Sequence, residues 1–285
     1  TIRHVLTHRA GIPSLGPPHN DVENLLHWDK VVRLLCEAKP ATRPGRKLAY
    51  HAITGGFVLG EIVRRVTGRT IRDYLHDEVL GPLGFEGMNY GWPAERLHEV
   101  AVNHHTGPTV PWPLSLIVER ALSVPWADAV NISNDPRYLS SIVPAGNIVA
   151  TAREVARFYE LLLNHGELDG TRVFDRRTIR RAVNESSYLE LDLTLVLPVR
   201  YGLGVMLGSD RVSPFGPRTP RAFGHLGFIQ IITWADPDRH LAGALLTSGK
   251  PWLGPDLGAL WRVLATINRV CEGRPKAVAV PRAVA

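Results

Sequence analysis

The sequence has few cysteines and no long apolar segment. Cys36 and Cys271 are its two cysteines among 285 residues, and neither belongs to a CxxC pair. Two cysteines cannot build the disulfide framework on which small secreted domains depend. No uninterrupted apolar run reaches about 18 residues, the length that a membrane-spanning helix requires. Disulfide scaffolds, CxxC zinc or redox sites and transmembrane bundles are therefore excluded.

Charge of one sign is also not concentrated in any segment. The chain has 33 basic and 27 acidic residues, which leaves a net charge of +6. The arginines stand singly or in pairs such as Arg64-Arg65 and Arg180-Arg181, without a polybasic block. Proteins that bind nucleic acids collect basic residues on one face and carry a recognisable reading motif. We therefore predict no nucleic-acid partner.

Several motifs of well-known enzymes are missing as well. The chain contains no GxSxG nucleophile elbow, which disfavours an α/β-hydrolase. It has no Walker loop and no GxGxxG, and no serine is followed three positions later by lysine. No cofactor is predicted.

Hydrophobic residues make up 45% of the chain, which is enough for a buried core in a single large domain. Helical periodicity, caps and stop signals predict helices at 28–38, 54–67, 70–80, 151–165, 175–183 and 256–270. Strands are predicted at 201–207, 222–234 and 241–247, the last two joined as an antiparallel hairpin by Asp236-Pro237-Asp238. This order predicts an α+β fold in which helices flank an antiparallel sheet. Residues 85–145 are rich in proline and tryptophan and are expected to form either a long lid or binding wall or a structural cap.

Histidine is the first candidate for chemistry, with 12 residues. His4 and His8 have the spacing of two zinc ligands on one helix face, but the metalloprotease motif needs glutamate where Val5 stands. We predict no metal site and expect these residues to pack or cap. A metal-dependent hydrolase that uses His4, His8 and His104 stays open as an alternative.

Four segments follow one another in a characteristic order: TIRHVLTHRAGIP, PGRKLAYHAITGGFVLGEIVRRVTG, VPAGNIVATAREVARFYELLLNHGELDG and FGHLGFIQIITWADP. Together they resemble the class C β-lactamase, D-alanyl-D-alanine carboxypeptidase and esterase family of serine hydrolases, which also includes penicillin-binding-protein-like members. The resemblance covers most of residues 1–270. It implies a serine β-lactamase-like fold with a helical lobe beside the sheet, over a domain of residues 1–271. Residues 272–285 are expected to form a mobile tail.

The resemblance gives Tyr50 a catalytic role. The family has a tyrosine followed two positions later by asparagine, which matches Tyr50-His51-Ala52 before the helix at 54–67. Tyr50 would act as general base or proton relay, although by itself it is more simply interpreted as a packing residue. A phenol titrates near pH 10, so the role requires a nearby ammonium group. Ala52 departs from the family pattern and removes an amide that contacts β-lactam substrates.

The family's lysine–threonine–glycine motif, or its histidine version, matches His225-Leu226-Gly227. The resemblance implies that His225 bonds Tyr50 or orients the substrate, although a histidine on a strand is more often structural. Gly227 would let substrate approach the backbone, and the N–H of Phe228 would be one of two oxyanion donors. Leu226 replaces a hydroxyl that holds a β-lactam carboxylate. Both departures favour esters over antibiotics as substrates.

The family's nucleophile, in a Ser-x-x-Lys motif, lies upstream of the segment that opens this chain. Thr1 is not a methionine, and we expect an N-terminally incomplete chain that is inactive alone. Apolar faces of 54–67 and of the 222–247 hairpin would then be exposed. The function implied is a serine hydrolase of small ester or amide substrates, carboxylesterase- or lipase-like, acting through an acyl-enzyme. The alternatives are an inactive ligand- or peptidoglycan-binding module and a β-lactamase or D-Ala-D-Ala peptidase. The sequence assigns neither compartment nor oligomeric state.

Overall fold

The computed structural model describes residues 1–16, 22–122, 124–211, 213–228, 230–251 and 255–271. The predicted tail at 272–285 lies outside these residues. The α-helices are α1 (Ile2–Leu6), α2 (Val22–Leu26), α3 (Trp28–Glu37), α4 (Ala52–Thr67), α5 (Ile71–Leu75), α6 (Leu114–Leu122), α7 (Trp126–Ile132), α8 (Pro136–Ser140), α9 (Ala152–Leu163), α10 (Arg176–Ala182) and α11 (Pro255–Val270). The strands are β1 (Met88–Tyr90), β2 (His104–His105), β3 (Ile148–Ala150), β4 (Glu167–Leu168), β5 (Thr171–Arg172), β6 (Ser187–Asp192), β7 (Leu197–Tyr201), β8 (Met206–Leu207), β9 (Phe223–Gly227), β10 (Ile231–Asp236), β11 (Leu241–Leu245) and β12 (Gly249–Lys250).

A six-stranded antiparallel sheet is the centre of the fold, in the order β11-β10-β9-β8-β7-β6. Alternating side chains of β10 face opposite sides, as in any strand. Ile232 and Trp234 pack in one cluster with Leu264 of α11. Ala235 packs in another with Tyr159 of α9. The predicted α+β arrangement, an antiparallel sheet flanked by helices, is confirmed.

A helical lobe lies beside the sheet and carries the segment before α4. Its core contains Val31 and Leu35 of α3, Phe57 of α4, and Tyr138 and Val143. α4 ends at Gly68, whose φ of 73° is the left-handed conformation that glycine adopts without steric cost. This end was predicted, but the helix begins at Ala52, two residues before the predicted start.

Side-chain caps begin several helices where the sequence predicted them. The Thr1 hydroxyl accepts from the His4 N–H, and Thr70 and Thr151 cap α5 and α9 in the same way. Asp175 caps α10. At α3 the residue at the N-cap position is His27, which makes no side-chain bond there, and Asp29 lies inside the first turn.

The predicted strands were too long and too few. Residues 201–207 are the end of β7, a turn and β8, and residues 222–234 are two strands that fold back on each other. β6 was not predicted. Residues 85–145 contain α6, α7 and α8 together with short strands, rather than one long loop. On α11, Leu264 is buried as predicted, but Trp261 is exposed.

The exposed apolar surface also differs from the prediction. Phe57 of α4 and Trp234 of the hairpin are buried, whereas Val66 on the predicted apolar face of α4 is 79% exposed, as expected. Exposed large apolar side chains are concentrated instead on β6, β7 and their connection: Tyr188, Leu189, Leu191, Leu193, Val196 and Leu197. In the part of the chain that the structure describes, no helix has the length and apolar character needed to cross a bilayer.

Candidate active site

Tyr50 lies two residues before α4 and is anchored through its backbone. Its N–H donates to Oδ1 of Asp192 at 3.0 Å, although the two residues are separated by 142 positions. The ring packs against the sheet cluster that contains Leu48 and Tyr201, and it keeps partial solvent exposure. The segment before α4 is thereby fixed to the end of β6.

Asp192 is a fully buried carboxylate that accepts hydrogen bonds from backbone N–H groups. Oδ1 also accepts from the N–H groups of Thr194 and Leu195, at 2.8 and 3.0 Å. The other oxygen, Oδ2, has no protein partner among the described residues, and neither has the buried hydroxyl of Tyr201. Next to the segment that carries Tyr50, Asp192 Oδ2 is therefore an unused acceptor and the Tyr201 hydroxyl an unused donor within the described part of the chain.

His225 of β9 lies beside Tyr50. Their ring centroids are 6.0 Å apart and the planes are inclined by 32°. The Nδ1 of His225 contacts the carbonyl oxygen of Leu226. Because a carbonyl only accepts, Nδ1 carries the proton and Nε2 of the neutral ring is left as an acceptor. Burial lowers the pKa of His225, while its bond to Leu226 opposes this, so the ring is neutral at physiological pH.

Tyr50 is a neutral phenol in this environment. Burial, with a smaller contribution from the Asp192 charge, raises its pKa to about 12. None of these causes is a cation, so nothing in its described surroundings favours the phenolate. A base role for Tyr50 therefore requires a positive charge from elsewhere.

His8 is a neighbour of the site that sequence reasoning placed wrongly. It lies beyond the end of α1 with a left-handed φ of 54°, so it does not share a helix face with His4. Its ring centroid is 4.9 Å from that of Tyr50 and 5.0 Å from that of His51, whose N–H is 3.4 Å from His8 Nδ1. Burial, then the His51 and His225 charges, lower the pKa of His8 to about 3. This ring is neutral too.

Gly227 and Phe228 form the end of β9, where the chain turns towards β10. A Cβ on Gly227 would meet only the Ile231 side chain, at an ordinary distance of 3.4 Å, so packing does not require glycine there. Phe228 has a left-handed φ of 40°, and its ring centroid lies 4.9 Å from that of Trp126 with the planes inclined by 43°. The described residues contain no group of three metal-ligating side chains.

The structure thus brings Tyr50 and His225 together, with Gly227 and Phe228 on the same strand end. Sequence reasoning missed His51, Asp192 and Tyr201 as neighbours of the site. No motif marks them, because they come from separate segments that only the sheet brings together. His51 is the one exception: its position next to Tyr50 was the available signal.

Comparisons with known proteins agree with this architecture. The Beta-lactamase family model matches residues 1–267. A Mycobacterium tuberculosis protein described as esterase/beta-lactamase LipL is 30% identical over 262 residues, covering 86% of this chain and 58% of its own length. An Escherichia coli putative D-alanyl-D-alanine carboxypeptidase is 24% identical over 88% of this chain and 57% of its own. The chain therefore spans less than two thirds of these curated relatives.

Solved structures are similar in fold. A penicillin-binding protein homologue from Caulobacter crescentus has a TM-score of 0.77 at 28% identity, over 92% of this chain and 69% of its own. A family VIII carboxylesterase has a TM-score of 0.78 at 26% identity, over 95% and 71%. The fold is β-lactamase-like, as the resemblance implied. The chain belongs to the Beta-lactamase family.

Proposed function

We propose that this chain belongs to a serine hydrolase that cleaves carboxylic esters through an acyl-enzyme. The observation that carries the proposal is the pairing of the Tyr50 and His225 rings, 6.0 Å apart, beside the strand end at Gly227 and Phe228. The relatives described as an esterase/beta-lactamase and as a family VIII carboxylesterase support the same reaction.

In the proposed reaction, a serine hydroxyl attacks the ester carbonyl and its proton passes to the Tyr50 phenolate. The resulting oxyanion accepts hydrogen bonds from the serine N–H and the Phe228 N–H. The carbon–oxygen bond to the leaving alkoxide breaks, and the alkoxide takes the proton from Tyr50. Water then attacks the acyl-serine and loses its proton to the Tyr50 phenolate; the acyl–serine bond breaks, the serine oxygen takes that proton back from Tyr50, and the acid leaves. Neutral His225 offers Nε2 as an acceptor that orients the phenol.

The proposed nucleophile lies outside this chain. Ser-x-x-Lys does not occur in its 285 residues. The relatives are longer, with 58% of the Mycobacterium tuberculosis protein covered. A lysine ammonium from that motif would also supply the positive charge that Tyr50 lacks, and so lower a pKa that burial holds at about 12.

Esters are favoured over β-lactams by two side chains. Ala52 is the first residue of α4 and offers no amide to a substrate. Leu226 packs against the sheet cluster around Trp234 and offers no hydroxyl. The two groups that would hold a β-lactam are therefore both absent at these positions.

The test is hydrolysis of p-nitrophenyl butyrate by the protein encoded by the complete natural reading frame. Tyr50→Phe removes the phenol oxygen while keeping the ring, and we expect kcat to fall by roughly 100- to 10,000-fold, as for loss of a general base. Tyr90→Phe is the matched control, since Tyr90 is a partly buried tyrosine outside the site. Full activity of Tyr50→Phe would contradict the proposal.

The alternative functions have distinct results in the same experiment. Turnover of a chromogenic cephalosporin that exceeds turnover of the ester would make the protein a β-lactamase. Saturable binding of peptidoglycan fragments without any turnover would make it a binding module. Activity that EDTA abolishes would restore the metal-dependent hydrolase.

A further inference from the structure

Three segments meet at Phe228, each through one side chain. The Phe228 ring centroid is 4.9 Å from that of Trp126, at the start of α7. The Nζ of Lys250, on β12, lies 5.3 Å from the centroid of the same ring. The indole Nε1 of Trp126 donates to the Lys250 carbonyl oxygen at 3.3 Å, which closes a triangle of contacts. Trp126, Phe228 and Lys250 are called the Phe228 triangle below.

Lys250 is unusual within this triangle because its side chain is buried. The residue is only 1% exposed, and its Nζ donates to the carbonyl oxygen of Thr247. The described residues contain no ion pair to it. A buried ammonium without a carboxylate is costly, so its contacts with the Phe228 ring and the Thr247 oxygen are what compensate. Because Lys250 is buried, its charge does not serve solubility, and its contacts indicate a different role.

The titratable groups on the neighbouring elements are solvent-exposed, although His105 is the residue opposite Lys250 in the strand pairing. His104 and His105 on β2, the strand parallel to β12, are exposed, as is Asp128 on α7. Burial alone lowers the pKa of Lys250, to about 8. The ammonium is therefore charged at neutral pH and loses its charge in mildly alkaline solution.

Phe228 needs support because of its backbone. A bulky residue at a positive φ of 40° is strained and persists only where its surroundings hold it. Its carbonyl oxygen accepts from the Gln230 N–H at 2.9 Å, which tightens the turn. Its ring is held by Trp126 on one side and by the Lys250 ammonium on another. Release of the ring would free the peptide that carries the Phe228 N–H.

We propose that Lys250 is a positioning residue whose ammonium, held over the Phe228 ring by the Thr247 carbonyl, fixes the Phe228 N–H in the orientation that an oxyanion requires. The inference rests on the proposed function, in which that N–H is an oxyanion donor. Lys250 touches neither substrate nor reacting atoms. It acts on the rate through the backbone of Phe228.

The first experiment compares the pH dependence of ester hydrolysis by the full-length natural protein and by Lys250→Met. The variant keeps the length of the side chain without its charge, so we expect kcat to fall roughly tenfold at pH 7 with little change in KM, because the oxyanion forms only in the transition state. The ratio of wild-type to variant kcat should then decline towards one above pH 8. Lys250→Arg, which stays charged, should keep kcat higher than Lys250→Met does across this range. Lys47→Met, at an exposed lysine, is the control.

The second experiment does not depend on hydrolysis. The full-length protein is labelled with 4-fluorophenylalanine, which gives one ¹⁹F resonance for each of the seven phenylalanines of this chain and for any others, and Phe228→Leu assigns the one of interest. We expect this resonance to titrate with a midpoint near pH 8 in the wild type. The titration should be absent in Lys250→Met.

The two experiments separate the possible failures. A wild type that hydrolyses no ester but shows the ¹⁹F titration overturns the proposed function and supports the contact of Lys250 with Phe228. A ¹⁹F resonance that does not titrate overturns the positioning role, even if Lys250→Met fails to fold. The same holds if Lys250→Met keeps wild-type kcat at pH 7.

Discussion

At the scale of residues, the site is a group of neutral rings around one buried carboxylate. Tyr50 has a raised pKa, and His8 and His225 have lowered ones, each with burial as the largest cause. All three are therefore uncharged near pH 7. The buried charge beside them belongs to Asp192, whose Oδ1 accepts three backbone N–H groups. A charge on an incoming nucleophile or substrate would therefore act among uncharged rings, with Asp192 as the one charged neighbour named above.

His8 makes the stability of the protein dependent on acid. Its pKa is 6.5 when the chain is unfolded and about 3 in the folded state. Between these values the unfolded state binds a proton that the folded state does not, so stability falls as pH decreases from 6.5 towards 3. At pH 5 the loss from this group is about 2 kcal/mol.

We therefore expect His8→Asn to reduce the acid sensitivity of the unfolding free energy, measured by denaturant titrations at pH 7 and pH 5. Asparagine can accept from the His51 N–H in place of the imidazole. His105→Asn, at an exposed histidine, should leave the pH dependence as in the wild type. Identical pH dependence in His8→Asn and wild type would show that His8 protonates freely in the folded protein.

The resemblance allowed the proximity of Tyr50 and His225 to be predicted, but not the surroundings of His8. The spacing of His4 and His8 indicates a shared face only if the helix continues through both. α1 ends at Leu6, and His8 adopts a left-handed conformation. This conformation cannot be predicted from a residue other than glycine. Its packing against Tyr50 depends on a contact between residues that are far apart in the chain, which no local pattern encodes.

At the scale of elements, β9 has two glycines with opposite requirements. A Cβ on Gly224 would overlap the carbonyl oxygen of Thr233 and lie 2.7 Å from Cα of Trp234, so the neighbouring strand excludes any side chain. Gly227 on the same strand has room for a Cβ, with Ile231 at 3.4 Å. Close strand packing explains the first glycine, and packing gives no reason for the second.

We expect Gly224→Ala to lower the free energy of unfolding by about 1–3 kcal/mol or more, as overpacking does. Gly227→Ala should change it by well under 1 kcal/mol while lowering kcat/KM for esters, because the added methyl group occupies space that substrate needs. Chemical denaturation and ester hydrolysis measure the two effects. An active, fully stable Gly224→Ala would refute the packing argument, and a fully active Gly227→Ala the functional one.

Local signals explain which elements could be predicted. Thr1, Thr70, Thr151 and Asp175 cap helices within three residues of themselves, so each start is encoded in a short segment. The turn at Phe228 was missed because its left-handed residue is not a glycine, and β8 because it has only two residues. The sheet order depends on distant pairings that no local pattern carries.

At the scale of the whole molecule, β6, β7 and their connection carry a concentration of exposed apolar side chains. Leu191 and Leu197 are 53% and 58% exposed, and β6 is an edge strand of the sheet. Exposed apolar edges promote association.

We expect the double substitution Leu191→Thr and Leu197→Thr to reduce self-association of the 285-residue chain, measured by sedimentation velocity over a concentration series. Threonine keeps the preference for strands while it removes apolar area. Val66→Thr, at an isolated valine that is 79% exposed, is the control and should change nothing. Equal association in the double variant and wild type would show that this surface is not the contact.

The bond between the Tyr50 amide and Asp192 joins residues separated by 142 positions, and Arg9 contacts Glu190 across 181. Bringing such distant parts of a chain together is entropically costly and slow compared with winding a helix. During refolding the helices should therefore form before the contacts of Tyr50 with Asp192 and of Arg9 with Glu190. During refolding, the proposed ester hydrolysis would then recover later than the helical signal. During partial unfolding, this activity would be lost before the secondary structure.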